Sequence, residues 1–145
     1  MDPIARFVSY AAAFEDAYAS DDWSRLDPYF TENAVYEPLA AFGGPITGRA
    51  AVKAGFKMMC DSFDKRFASR SVEVLEGPAD RNGVLWFEWA ATYTLAGAPP
   101  LRMIGEELVT FTGDRISHLE DRMSEEEAGK IAAYIAEHGD KLKGR

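Results

Sequence analysis

Residues 31–48 read TENAVYEPLAAFGGPITG and combine a short strand, an acid and a glycine-rich loop. Residues 34–36 favour the strand, and Glu37 follows directly before Pro38. A loop with a glycine pair comes next, and a helix is predicted from about residue 49. Because an acid at the end of a strand beside a flexible loop is a common arrangement for proton transfer, Glu37 is a candidate proton-transfer residue.

Composition predicts one folded domain over residues 1–145. A chain of this length supports a single core, and 47% hydrophobic with 12% aromatic residues supplies its interior. Net charge is −8, with 24 acidic against 16 basic residues. Phosphate groups require a basic surface, so nucleic acid and anionic membranes are not predicted as partners.

The sequence also predicts a location. Cys60 is the single cysteine, so an intramolecular disulfide is excluded, and its place on a helical apolar stripe predicts a core position. Residues 1–20 contain acids and lack the continuous apolar run of a signal peptide. No uncharged run approaches the roughly 18 residues of a membrane helix. We therefore predict a cytoplasmic protein.

Hydrophobic periodicity predicts helices first and strands afterwards. Helical spacing covers residues 3–19, 23–30 and 49–62, and a Ser124–Glu127 capping box begins a last helix that ends near Gly139. Strands are predicted at 72–75, 84–95, 101–112 and 116–123, with the first ended by Gly77-Pro78 and by the turn signal Arg81-Asn82-Gly83. The fold class is therefore α+β, with a four-strand antiparallel meander wrapped around the helices. The apolar stripe of the first helix is predicted to comprise Ile4, Phe7, Val8, Ala11, Phe14, Ala17 and Tyr18.

Strand alternation places two acids on apolar faces. Glu107 shares its side of 101–112 with apolar residues, and Asp121 lies between Leu119 and Met123. If Glu37 also faces inward, three acids enter one aromatic-lined concavity, where burial would raise their pKa values. The ordinary alternative is that each acid pairs with a hydroxyl or a base. Candidate bases for such pairs are Arg49, Arg70 and Arg102.

No metal or cofactor is predicted. His118 falls on a mixed strand face and His138 near the chain end, which does not favour a histidine metal site. Gly43-Gly44 lacks the lysine of a phosphate-binding loop, and no Gly-x-Ser-x-Gly nucleophile motif is present.

Four segments carry a family resemblance: DWxxLxxYFTxxA at 22–34, VYEP at 35–38, GRAAV at 48–52, and the strand at 116–121. They resemble the nuclear-transport-factor-2-like superfamily and, within it, SnoaL-like and ketosteroid-isomerase-like proteins. The resemblance implies a cone-shaped roll, in which N-terminal helices pack inside a curved antiparallel sheet and a C-terminal helix follows. It also implies a deep apolar pocket and a homodimer formed through the outer face of the sheet.

The resemblance also implies roles for individual residues. Glu37 before Pro38 matches the proton-shuttling acid of ketosteroid isomerase, and Glu107 matches its protonated oxyanion-binding acid. The catalytic tyrosine of that family aligns with Phe14, which has no hydroxyl, and Tyr18 lies one turn further on.

The last strand carries a further implied role. SnoaL-like cyclases are similar in carrying a general acid/base on this strand, at Asp121. Limonene epoxide hydrolase is similar at Tyr36 and Asp121. Its arginine–aspartate pair is replaced here by Trp89 and Ala91, so epoxide hydrolysis is not predicted.

The favoured function is cofactor-free acid–base catalysis, of isomerase, cyclase or dehydratase type, on a small apolar carbonyl or polyketide-like compound. The predicted catalytic residues are Glu37, Asp121 and Glu107. The predicted ligand-binding residues are Phe14, Tyr18, Tyr36, Phe56, Phe87, Trp89, Tyr93, Met103 and Met123. One alternative is a non-catalytic ligand-binding or dimerisation module. Another is an interior filled by side chains, with the outer sheet face as a structural interface.

Overall fold

The computed structural model describes residues 1–144, which form three α-helices, four 3₁₀ helices and six strands. The α-helices are α1 (Pro3–Ser20), α2 (Arg49–Ser62) and α3 (Glu125–His138). The strands are β1 (Phe30–Glu37), β2 (Ile46–Thr47), β3 (Ser69–Arg81), β4 (Val84–Thr94), β5 (Leu101–Thr112) and β6 (Arg115–Arg122). The 3₁₀ helices cover Trp23–Tyr29, Ala40–Phe42, Asp64–Arg66 and Gly139–Lys141.

The six strands form one sheet in the order β2-β1-β6-β5-β4-β3. The predicted α+β class is confirmed, and β3 to β6 form the predicted antiparallel meander. The sheet as a whole is mixed, because β1 pairs in parallel with β6. This parallel pair brings β1, with Tyr36 and Glu37, next to the last strand of the meander.

β3 is longer than predicted. It continues through Gly77-Pro78 to Arg81, and its ladder with β4 shifts register on both sides of Glu76. β3 is an edge strand, where a proline without an N–H is tolerated, and bulges absorb the irregularity. The turn lies at Asn82-Gly83, within the predicted turn signal, and both residues have positive φ, 56° and 85°.

The buried face of α1 differs from the predicted stripe. Asp2 caps the helix, accepting a 3.0 Å hydrogen bond from the Ile4 backbone N–H. Ile4 and Val8, however, are 39% and 57% exposed. The buried positions are Phe7, Tyr10 and Ala17. The helix is rotated relative to the predicted stripe because its aromatic residues pack on rings of the sheet, with Phe7 4.8 Å from Phe87 between ring centroids.

α2 packs closely against the strand that precedes it. A Cβ at Gly55 would lie 2.7 Å from Ile46 Cδ1 on β2, so a larger residue here would require the Ile46 side chain to move. The helix buries Val52, Phe56, Met59 and Cys60, which confirms the core position predicted for the cysteine.

The inner face of β4 includes the predicted ligand-binding residues Phe87, Trp89 and Tyr93. Leu85, Phe87, Trp89, Ala91 and Tyr93 are all buried. They lie on the side of the sheet that packs against α1 and α2.

α3 begins as predicted after β6. Ser124 Oγ accepts a 3.1 Å hydrogen bond from the Glu127 backbone N–H. The Glu127 carboxylate in turn accepts a 3.2 Å hydrogen bond from Ile104 N on β5. The helix is thereby fixed to the strand where the β5–β6 ladder ends.

The large apolar side chains that are exposed lie on α1, α2 and β3 and at Met1 rather than on the outer face of β4 to β6. Dimerisation through that outer face stays a prediction. None of the helices in residues 1–144 combines the length and apolar character needed to cross a membrane.

Candidate functional site

A cavity of about 490 Å³ lies between the helices and the inner face of the sheet. Pockets that bind small molecules are typically about 300–1,000 Å³, so this volume is sufficient for a ligand. The walls are mainly aromatic and aliphatic. The alternative of an interior filled by side chains is therefore wrong.

Most of the predicted ligand-binding residues line this cavity: Phe14, Tyr36, Phe56, Phe87, Trp89, Tyr93 and Met103. Two do not. Tyr18 lies beside the cavity, with its ring 4.6 Å from the Arg70 guanidinium carbon. Met123 packs against the core at the end of β6. These two were predicted on the correct elements, but neither side chain reaches the cavity wall.

Glu107 and Asp121 form a carboxyl pair on the cavity wall. They are directly opposite each other in the β5–β6 ladder, and both side chains point to the inner face. Their carboxyl groups are close enough for each to affect the pKa of the other. The Tyr36 hydroxyl on β1 donates a further 2.6 Å hydrogen bond to Asp121 Oδ2. This pair is the centre of the candidate site.

The two carboxyl groups affect each other's ionisation. Burial raises the pKa of Glu107 well above its usual range, and the neighbouring Asp121 charge raises it further. Burial also raises the pKa of Asp121, while Glu107 and the hydrogen bond from Tyr36 partly offset this. Two carboxyls in contact cannot both ionise at low cost. Glu107 therefore keeps its proton to a higher pH than Asp121 does.

Tyr10 on α1 is a site residue that the sequence analysis missed. Its side chain is only 5% exposed and borders the same cavity. Burial raises the pKa of its hydroxyl well above 10, and the charges of Glu107 and Asp121 raise it further. Among residues 1–144 this hydroxyl has no hydrogen-bond partner. The spacing of Phe7, Tyr10 and Phe14 was the available signal, since they lie on one helical face.

Glu37 does not face the cavity. Its side chain is 39% exposed, and its carboxylate lies 2.8 Å from His118 Nε2 on the outer face of the sheet. Tyr36 occupies the inner face, and consecutive strand residues point to opposite faces. The prediction that Glu37 enters the concavity is therefore wrong.

A second polar cluster borders another part of the cavity. Arg70 Nε lies 3.0 Å from Asp64 Oδ2, which also accepts a 3.1 Å hydrogen bond from the Tyr93 hydroxyl. Arg70 Nη1 is 2.9 Å from Glu15 Oε2 on α1. Burial raises the pKa of Asp64, and Arg70 partly offsets the effect. Of this cluster, the sequence analysis proposed Arg70 only as an ion-pair partner and missed Asp64.

The other two candidate bases lie elsewhere. Arg49 donates a 3.3 Å hydrogen bond to the Phe30 carbonyl. Arg102 pairs with Glu73 at 3.3 Å on the surface. Neither side chain neutralises Glu107 or Asp121, so the carboxyl pair has no cationic partner among these arginines.

The chain belongs to the SnoaL-like domain family, whose family model matches residues 11–119. No curated protein sequence matches it significantly. The similarity that remains is therefore one of structure.

Several solved structures share the fold. An NTF2-like protein from Anabaena variabilis is 17% identical with a TM-score of 0.67, and the match covers 86% of this chain and 91% of that one. IdmH, a putative polyketide cyclase from Streptomyces antibioticus, is 14% identical with a TM-score of 0.61, and the match covers 86% of this chain and 97% of that one. TerC, co-crystallised with polyporic acid, is 9% identical with a TM-score of 0.64, and the match covers 88% of this chain and 98% of that one. At these identities the likeness establishes the NTF2-like fold.

Proposed function

We propose that this SnoaL-like protein is a cofactor-independent enzyme that moves a proton on a carbon next to a carbonyl group. The observation that carries the proposal is the Glu107–Asp121 pair, two carboxyl groups that affect each other's ionisation on the wall of an apolar cavity. Pairs of titratable groups whose pKa values are pushed apart supply the acid and base of such reactions.

Asp121 is the base in this proposal. Its carboxylate removes the proton from carbon, and the electron pair of the broken C–H bond forms an enolate. The Tyr36 hydroxyl fixes the Asp121 carboxylate, leaving it one orientation toward the cavity. General base catalysis by a positioned carboxylate contributes about 10²- to 10⁴-fold in rate.

Tyr10 stabilises the enolate oxygen. Its hydroxyl borders the same cavity and is not engaged by another of residues 1–144. Glu107 keeps its proton beside Asp121 and is the acid of the pair. A preorganised donor directed at a developing oxyanion is worth about 10²- to 10³-fold in rate. Return of the proton to a different carbon gives isomerisation, whereas attack of the enolate on a second carbonyl gives ring closure.

The ligand class follows from the cavity. Aromatic side chains dominate its walls, which favours flat apolar molecules such as aryl ketones and polyketide-like compounds. IdmH, a putative polyketide cyclase, and TerC, which was co-crystallised with polyporic acid, have the same fold and support this class.

Deuterium exchange tests the proposal without knowledge of the natural substrate. Apolar aryl ketones, beginning with 1-tetralone, are incubated with the protein in D₂O, and loss of the α-proton signal is followed by NMR. We expect Asp121→Asn to slow exchange by at least about 100-fold while the dissociation constant changes only a few-fold. Glu37→Gln is the matched control on the outer face, and its rate should equal that of the wild type.

Two outcomes would contradict the proposal. Ketones that bind without any exchange above background would identify a binding module, which is the alternative predicted from the sequence. Full activity in Asp121→Asn together with inactivity in Glu37→Gln would place the proton transfer on the other face of the sheet.

A further inference from the structure

The cavity has two polar ends that are far apart. At one end Glu107 is paired with Phe87 in the β4–β5 ladder, and at the other Arg70 is paired with Tyr93 in the β3–β4 ladder. Tyr93 follows Phe87 by six positions on β4, which corresponds to about 20 Å of strand. A cavity of about 490 Å³ that reaches over this distance is long and narrow.

Arg70 is fixed in place by contacts other than its contact with Glu15. Its side chain is 13% exposed, and its Nε lies 3.0 Å from Asp64 Oδ2. The guanidinium carbon also lies 4.6 Å from the centre of the Tyr18 ring, at cation–π distance. These contacts hold the guanidinium at the cavity wall whether or not its third partner is present.

That third partner, Glu15, is held much less firmly. Its side chain is 54% exposed on α1, and its carboxylate reaches Arg70 Nη1 at 2.9 Å across the cavity. Exposed ion pairs contribute only about 0–1 kcal/mol, so Glu15 can turn into water at little cost. Its departure would leave the Nη1 donor of a largely buried arginine without an acceptor.

We propose that Arg70 binds an anionic group of the ligand, a carboxylate, in the position that Glu15 occupies in this structure. One carboxylate replaces another, so the net charge around Arg70 and Asp64 is unchanged. A planar guanidinium is suited to such exchange because it presents several donors to a carboxylate. The ligand is then an elongated apolar acid. This identification deepens the proposed function, because the opposite end of the same ligand lies at Glu107 and Asp121.

The experiment compares an acid with its neutral ester. The probes are anthracene-2-carboxylate and methyl anthracene-2-carboxylate, titrated into the full chain by calorimetry. We expect the acid to bind wild type at least tenfold more tightly than the ester. Glu15→Gln should strengthen acid binding several-fold, because the competing carboxylate is gone, and should leave ester binding unchanged.

Arginine variants provide the second comparison. Arg70→Met should reduce acid affinity to that of the ester. Arg102→Met removes an exposed arginine on the outer face of β5 and is the matched control, with no expected effect on either probe. Arg70→Met could fail to fold because Asp64 loses its partner. In that case the Glu15→Gln titration tests the proposal, since Glu15 is exposed and glutamine has nearly the same size.

Several results would overturn the proposal: equal affinity of acid and ester for the wild type, no binding of either probe, or weaker acid binding by Glu15→Gln. These titrations measure binding without turnover, so failure of this proposal can be distinguished from failure of the proposed proton transfer. Asp121→Asn should keep the full preference for the acid even where proton exchange is lost.

Discussion

Glu107 and Asp121 face each other across the β5–β6 ladder, and both carboxyl groups lie on the wall of the cavity. Both side chains are half-buried because part of their surface borders the cavity. A ligand that displaces water from this surface would strengthen the effect of burial on both pKa values. The pKa values of Glu107 and Asp121 therefore depend on whether a ligand occupies the cavity.

Glu107→Gln should increase stability at high pH. Because the pKa of Glu107 is raised in the folded protein, its contribution to stability is complete below the unfolded value of about 4.3 and is lost as pH rises through the folded pKa. Glutamine cannot ionise, so the variant avoids this loss. Thermal unfolding of both proteins from pH 4 to pH 9 should show a melting-temperature difference that grows with pH.

Glu137→Gln serves as the control for that experiment, since it removes one charge from the exposed surface of α3. A melting-temperature difference between Glu107→Gln and wild type that stays constant over the whole pH range would show that Glu107 does not hold its proton in the folded state.

Tyr36→Phe should shift the pH dependence of proton exchange upward. The variant removes the 2.6 Å hydrogen bond to Asp121, which is one of the two contacts that lower the pKa of that carboxyl. A larger fraction of Asp121 is then protonated at neutral pH, and we expect the rate at pH 7 to fall about tenfold. The pH–rate profile measures this. Tyr29→Phe, which loses only an exposed contact with Ser9, should leave the profile unchanged.

Tyr10→Phe should lower the exchange rate without weakening binding. The change removes one donor near the enolate oxygen and keeps the ring that packs on Phe30. The expected loss is about 100-fold in kcat with KM within a few-fold of wild type. Steady-state kinetics separates these two effects. A loss confined to KM would assign Tyr10 to ligand packing alone.

Gly105→Ala should destabilise the protein. Its Cβ would lie 2.4 Å from Trp89 Cζ2 and 2.8 Å from the Arg122 carbonyl, so the indole that lies across this glycine must move. Overpacking of this kind costs about 1–3 kcal/mol. Gly129→Ala in α3 is the control, because nothing lies within 4 Å of its Cβ and alanine favours the helix. Urea denaturation should show a lower free energy of unfolding for Gly105→Ala and a higher one for Gly129→Ala, each relative to wild type.

The sequence determined the element order and the inner face of the meander. Periodicity predicted α2 within its observed bounds, and alternation placed Phe87, Glu107 and Asp121 on the cavity side. These features follow from local chemistry, because the side-chain period of a strand is fixed at two residues. Applied to β1, the same rule excludes Glu37 once Tyr36 is placed inside.

Tertiary structure decided which of these residues meet. The parallel pairing of β1 with β6 brings Tyr36 to Asp121, 85 positions away, and no local pattern specifies that partner. The rotation of α1, which buries Tyr10 and exposes Val8, depends on rings contributed by the sheet. The raised pKa values of Glu107 and Asp121 likewise depend on distance and burial, which exist only after the strands have paired.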